Sequence, residues 1–242
     1  MNTLSATLVI GATGTTGSRV VAGLIAEGHR VKAAGRSATP VEGAQAVRFD
    51  WDEPATWGEA LDGVDRLYLV PPIGSSDPAA AMLPFLDQAR AAGVHRAVLL
   101  SSSAIPAGGP AVGRVHQALP GLFEQWAVLR PSWFMQNFTG STPHARSIRE
   151  DGAIWTATGQ GRVGFIDAQD IAAVAVPGRP ASWRTPPVSP PPSGRAVARR
   201  SASDAPIADG TEDRTTDTVQ RLTGRLPGTL RAFLEREVPG GR

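Results

Sequence analysis

Apolar positions along the chain recur with two periods. Residues 6–10 form a short run, broken only by Thr7, that stops at Gly11, as a buried strand does. Val20, Val21, Leu24 and Ile25 then share one stripe of a helix, with Gly28 in the stop position. The same reading predicts strands at Arg30–Ala34, about Ala46–Phe49, Arg66–Val70, Ala97–Leu100 and Trp126–Leu129. Between them it predicts a short helix near Pro54–Leu61. A longer helix opens at Asp77 and Pro78, with Met82, Phe85, Leu86 and Ala89 on one face. Pro84 inside that pattern predicts a kink or a later start, and Gly93 ends it. Asp170 is expected to cap a last helix at Ile171–Val176.

Strands alternating with helices at this spacing imply an α/β fold, a Rossmann-type doubly wound parallel sheet covered on both faces. After Val176 the texture changes. Residues 177–206 hold eight prolines and five arginines without apolar periodicity. Such a segment buries too little surface to offset its ordering entropy. Helical patterning returns at Thr211–Leu222 and Leu230–Val238. The expected organisation is a dinucleotide-binding domain at 1–176, an irregular segment at 177–210, and C-terminal helices of a reduced substrate-binding region at 211–242.

Composition narrows the chemistry. Of the 242 residues 41% are hydrophobic, enough for a sizeable core, and the absence of cysteine excludes disulfides, thiol nucleophiles and thiolate zinc sites. The four histidines are scattered without ligand spacing, so no metal is expected. No apolar run reaches membrane-spanning length and no secretory leader pattern opens the chain, which predicts a cytoplasmic protein without a membrane partner. Residues 1–170 carry 13 basic against 15 acidic side chains and residues 171–242 carry 11 against 7. The basic excess therefore lies in the irregular segment rather than on a folded face, and nucleic acid is not an expected partner.

The chemistry-bearing motif is Gly11-Ala12-Thr13-Gly14-Thr15-Thr16-Gly17. Glycines at this spacing are a weak signal in a chain with 27 of them; their position between a buried strand and an amphipathic helix is the stronger one. There Gly11 permits the turn, Gly14 a close approach of pyrophosphate, and Gly17 tight helix packing, with the helix N-terminus facing the anion. Thr13, Thr15 and Thr16 add hydroxyl donors. A glycine-rich turn in a flavodoxin-like or sensor domain is the bland alternative. At the end of the second strand an acid would select NAD, whereas this chain has Arg36 and Ser37 and no acid before Glu42. That favours NADP(H) over NAD(H), unless Arg36 is merely a solvated surface residue. Asp50 is a candidate for the adenine side or, equally, a helix cap.

The glycine motif, Gly35-Arg36, the run Tyr68–Pro72, the stretch Ala91–Ser101 and the stretch Leu129–Asn137 resemble the NmrA-like atypical short-chain dehydrogenase/reductases. Within them the likeness is to bacterial relatives of the festuclavine dehydrogenase type of ergot alkaloid reductase. The resemblance covers about residues 5–176 and 211–238. It implies that Val70 and Pro71 lie beside the cofactor and that Ser101–Ser103 line the site, with Ser102 a catalytic candidate. It also implies that Trp133, Phe134, Met135, Gln136 and Asn137 wall the substrate pocket. Each has a plainer reading, as loop serines or core aromatics. Asp167 and Asp170 are better read as helix caps than as catalytic groups.

Conventional members of the wider superfamily use a Tyr-x-x-x-Lys pair for proton transfer. This chain has one Tyr, Tyr68 in a strand, and one Lys, Lys32, expected near the cofactor phosphates. Hydride transfer then relies on positioning and on a substrate needing little acid help, such as an iminium, quinone or enone. His116 is a candidate proton source near neutral pH, or an ordinary surface histidine. Two functions follow: an NADP(H)-dependent reductase of a small organic substrate, acting as monomer or homodimer, or a non-catalytic dinucleotide sensor. Residues 177–208 depart from the family pattern, as a shifted reading frame between two compensating indels would, or as a Pro-rich linker.

Overall fold

The structure is a computed structural model that describes residues 5–176 and 205–238. The strands β1 (Ala6–Ile10), β2 (Arg30–Gly35), β3 (Gln45–Arg48), β4 (Val64–Leu69), β5 (Arg96–Leu100) and β6 (Gln125–Leu129) form one sheet in the order β3-β2-β1-β4-β5-β6. Every pairing in it is parallel. Between them run α1 (Gly17–Ala26), α2 (Trp57–Leu61), α3 (Pro78–Ala91) and α4 (Gly113–Leu122). After β6 come the two-residue strands β7 (Trp133–Phe134) and β8 (Phe165–Ile166), paired in parallel, with α5 (Pro143–Asp151) between them and α6 (Ala168–Ala175) following. Helices α7 (Ala205–Ala208), α8 (Thr218–Thr223) and α9 (Leu230–Glu237) complete the described chain.

Two compact units emerge. Among the described residues, 5–130 with 172–176 form one, and 131–171 with 205–238 form the other. In the first, alternation of side chains along buried strands loads both sheet faces. Leu8, Leu67 and Leu69 pack with Phe85, Leu86, Val115 and Leu119 of α3 and α4 on one face. Val9, Tyr68 and Val98 pack with Val20, Leu24 and Ala172 of α1 and α6 on the other. This is the doubly wound α/β fold, with helices on both faces. Phe49, Trp51 and Trp57 meet Phe85 edge-on at 5.1–5.5 Å, an arrangement aromatic quadrupoles favour, and this holds α2 and the segment after β3 to α3.

Local differences from the pattern reading have physical causes. Helix α3 runs through Pro84 from Pro78, because six buried side chains hold it in place despite one missing donor. Asp77 makes no capping bond and instead pairs with Arg114 at 3.2 Å. The last Rossmann helix starts at Ala168, three residues early: Asp167 Oδ1 accepts from the Gln169 amide, so Asp167 and not Asp170 is the cap. Asp170 sits in the first turn, where its carboxylate takes the Gly228 amide and the Arg225 guanidinium, each at 2.7 Å. Residues 211–217 are turns and coil rather than helix. The Pro/Arg-rich stretch at 177–204, and with it the reading-frame alternative, lies outside the described residues. Among the described residues no helix is long and apolar enough to cross a membrane.

Candidate functional site

The glycine loop forms as its sequence requires. Gly11 adopts φ 72°, in the left-handed region that glycine enters freely, and its amide and that of Ala12 bond the Ala34 carbonyl of β2 at 3.1 and 3.2 Å. Gly14 turns back on the Gly11 carbonyl at 2.9 Å. A Cβ on Gly17 would collide with the Gly11 carbonyl, which pins α1 against the turn. Thr13, Gly14 and Thr15 are exposed and Thr16 is buried at the head of α1. The loop is thus a cradle with the helix N-terminus behind it, where positive dipole and free amides favour an anion.

Beside the cradle lies a polar cavity of about 150 Å³, lined by Ala12, Thr13, Gly35, Arg36, Ser37 and Thr39 among others. Among the described residues Arg36 has no carboxylate partner, in contrast to Arg48, whose guanidinium grips Glu53. Thr39 is a lining residue that motif reading missed; it sits beyond the strand, where no pattern marks it. Asp50 is not the helix cap: its Oδ1 accepts the Asp52 amide at 3.1 Å, closing a turn, and the cap position belongs to Glu53. Lys32 is also placed differently from expectation. It is buried, and its ammonium donates to the Glu59 carbonyl at 2.8 Å, at the end of α2.

On the other side of the cradle, Val70 lies where a Cβ on Gly11 would touch it at 3.4 Å, and Trp51 Nε1 holds the Val70 carbonyl at 3.2 Å. Val70 therefore flanks the cradle just past the end of β4. After β5, the Ser101 amide bonds the Leu129 carbonyl at 2.8 Å while its buried hydroxyl has no hydrogen-bond partner among the described residues. Ser102 Oγ accepts the Ala104 amide at 3.3 Å, an ordinary serine turn. Arg130, which sequence reading passed over, bonds the Ser102 and Ser103 carbonyls at 3.3 and 2.6 Å and holds that loop. His116 on α4 tilts toward Trp126 at 6.4 Å, with Nδ1 buried and without a partner among the described residues. Burial, and then the Arg130 charge, hold its pKa below the usual histidine value, so the ring is neutral near pH 7. Tyr68 is buried, and its hydroxyl is pushed up to about 12 by burial, with the Thr16 side chain acting in the opposite sense. It cannot supply a phenolate near neutral pH.

The candidate substrate segment belongs to the second unit. Trp133 stacks on His144 at 5.6 Å and meets Phe165 edge-on at 6.4 Å, and Phe138 tilts against Phe165 at 4.8 Å. Trp133 and Phe134 are half-buried, whereas Met135 is buried and packs as core. The Asn137 carbonyl accepts the Thr142 hydroxyl at 2.5 Å, and that hydroxyl in turn caps α5 through the Ala145 amide at 3.2 Å. Among the described residues no three His, Asp or Glu side chains are placed to hold a metal ion.

The 3-2-1-4-5-6 strand order and the cradle at the first strand's end define a Rossmann-type dinucleotide-binding domain. Residues 11–177 match the family model described as NAD(P)H-binding, and the chain belongs to that family, in its NmrA-like, atypical short-chain dehydrogenase/reductase branch. It is 38% identical to the uncharacterized oxidoreductase YesF of Bacillus subtilis, over 93% of each chain. It is also 38% identical to the festuclavine dehydrogenase easG of Aspergillus fumigatus, over 69% of this chain and 60% of that one. Among solved structures, the Citrobacter triphenylmethane reductase complexed with NADP(H) superposes with a TM-score of 0.70 at 20% identity, over 96% and 100% of the two chains. The Escherichia coli NADPH-dependent quinone oxidoreductase QOR2 gives 0.70 at 17% identity, over 95% and 99%. The protein is therefore an NAD(P)H-binding family member whose relatives are oxidoreductases.

Proposed function

We propose that the protein is an NADP(H)-dependent reductase that delivers hydride to a small organic acceptor such as a quinone, iminium or enone. The observation that carries the NADP preference is the polar cavity at the end of β2: Thr13, Arg36, Ser37 and Thr39 surround it and no carboxylate enters it. A guanidinium that has no carboxylate partner among the described residues and three hydroxyls suit a 2′-phosphate dianion, which an acidic residue in that place would repel. The Gly11–Gly17 cradle would take the pyrophosphate, and the unpartnered Ser101 hydroxyl and the Val70–Pro71 edge fit the ribose side.

When bound, the nicotinamide supplies the hydride. The chain's own contribution is positioning, because burial pushes the Tyr68 hydroxyl up to about 12 and leaves it a poor acid, and Lys32 is occupied at α2. His116, its pKa held low by burial and the Arg130 charge, is a weak acid source, and the Ser102 hydroxyl accepts the Ala104 amide while keeping its own proton to donate. Both suit an acceptor whose reduction needs no strong proton donor. Oxidation of NADPH followed with menadione and with a cyclic iminium tests the reading. Turnover with NADPH well above that with NADH supports it; tight NADPH binding with no turnover on either acceptor favours the non-catalytic sensor.

A further inference from the structure

The segment assigned to the substrate wall is tied to the last helix of the chain by a short polar chain. Gln136 uses both ends of its amide: Nε2 donates to Asp167 Oδ1 at 2.8 Å and Oε1 accepts the Ala168 amide at 3.1 Å. Asp167 is buried and its carboxylate is fully employed, with Oδ1 also taking the Gln169 amide at 2.9 Å and Oδ2 taking Arg236 Nη2 at 2.8 Å. Burial works to raise the Asp167 pKa, but the Gln169 amide, the Arg236 guanidinium and the Gln136 amide together hold it below its ordinary value. Arg236 in turn lies 5.4 Å over the Phe233 ring, the buried anchor of α9. Through Asp167 and Arg236, α9 is linked to the wall, while Arg225 and Gly228 hold Asp170, which has no bond to the wall among the described residues.

We propose that Asp167 and Arg236 are positioning residues for the substrate wall: Arg236 holds the Asp167 carboxylate, and Asp167 fixes the Gln136 amide that sets the 133–138 turn. This rests on the reading of Trp133–Asn137 as the substrate side. Arg236→Gln removes the charge from the far end, leaving Asp167 free to reorient and Gln136 with a weaker partner. Arg225→Gln loosens the same C-terminal segment without touching Gln136, so it separates positioning from general tethering.

The test pairs hydrogen exchange with kinetics, using the full chain with NADPH and menadione. Arg236→Gln and Gln136→Leu are each expected to raise exchange in a peptide spanning residues 131–140 by about tenfold and to raise KM for menadione by a similar factor, with kcat changed less than about twofold. NADPH affinity stays the same. Arg236→Lys restores most of the loss, Arg225→Gln leaves the 131–140 peptide unchanged, and the Arg236→Gln/Gln136→Leu pair is non-additive. Equal loosening by Arg225→Gln and Arg236→Gln, or no change in that peptide with either Arg236→Gln or Gln136→Leu, overturns the inference. If the wild-type protein does not reduce menadione, the exchange data still decide this point, and the functional reading alone is in question.

Discussion

The two compact units hold together by different means. In the first, a sheet buried on both faces is closed by hydrophobic side chains from α1, α3, α4 and α6, and its glycine loop fits because a side chain there would meet backbone. In the second, β7 and β8 are two residues each, and the segment depends on two buried carboxylates, Asp167 and Asp170, gripped by Arg236, Arg225 and backbone amides. Burial of apolar area is non-directional and tolerates small changes, whereas a buried carboxylate is stable only with its partners in place. The first unit should thus fail by steric insult and the second by loss of charge.

The largest effect is expected from Gly17→Val. The added side chain collides with the Gly11 carbonyl and forces α1 away from the turn, so stability falls by about 3 kcal/mol and nucleotide binding is lost, as calorimetry and fluorescence titration would show. Next, Arg36→Glu replaces the cation in the cavity proposed for the 2′-phosphate with an anion. NADPH affinity should fall by about a hundredfold and NADH affinity by much less, since the cost falls on charge-assisted bonds only the phosphate makes.

In the second unit, Asp167→Asn replaces one accepting carboxylate oxygen with an NH2 donor that faces other donors, and should cost about 2 kcal/mol, with little change in NADPH affinity. The same carboxylate sets an acid limit. Its folded pKa lies below its unfolded one, so its stabilisation is complete above the usual carboxylate range and is lost as pH falls through the folded value. The melting temperature of the wild type should drop over that acidic window more steeply than that of Asp167→Asn. The smallest effect is expected from Tyr68→Phe. It deletes a buried hydroxyl that interacts with the Thr16 side chain but makes no well-aligned hydrogen bond among the described residues, so stability stays within about 0.5 kcal/mol and turnover persists, and a large loss of turnover would restore Tyr68 to the chemistry.

The same contrast explains what was legible in the sequence. The strands, the Gly11–Gly17 loop and the placement of Arg36 are local: period, glycine and spacing report them directly. Thr39, Arg130 and the Gln136–Asp167–Arg236 chain are not, because each gains its role from a residue 27 or more positions away or from a fold-made cavity. Asp167 and Asp170 show the limit most plainly. Both stand at a helix start and read alike as caps, yet one caps and carries the wall while the other receives the C-terminal segment. Likewise Lys32, on the strand that leads to Arg36, reads as lying near the cofactor phosphates, but its ammonium bonds the Glu59 carbonyl of α2.

The central claim is that this dinucleotide fold is built for a phosphorylated ribose. Dissociation constants of the wild-type protein and of Arg36→Gln for NADPH and NADH, measured side by side, test it most directly. The account predicts that the wild type prefers NADPH by about tenfold or more and that Arg36→Gln brings the two affinities together. Equal affinities in the wild type, or a preference for NADH that Arg36→Gln leaves unchanged, would contradict it.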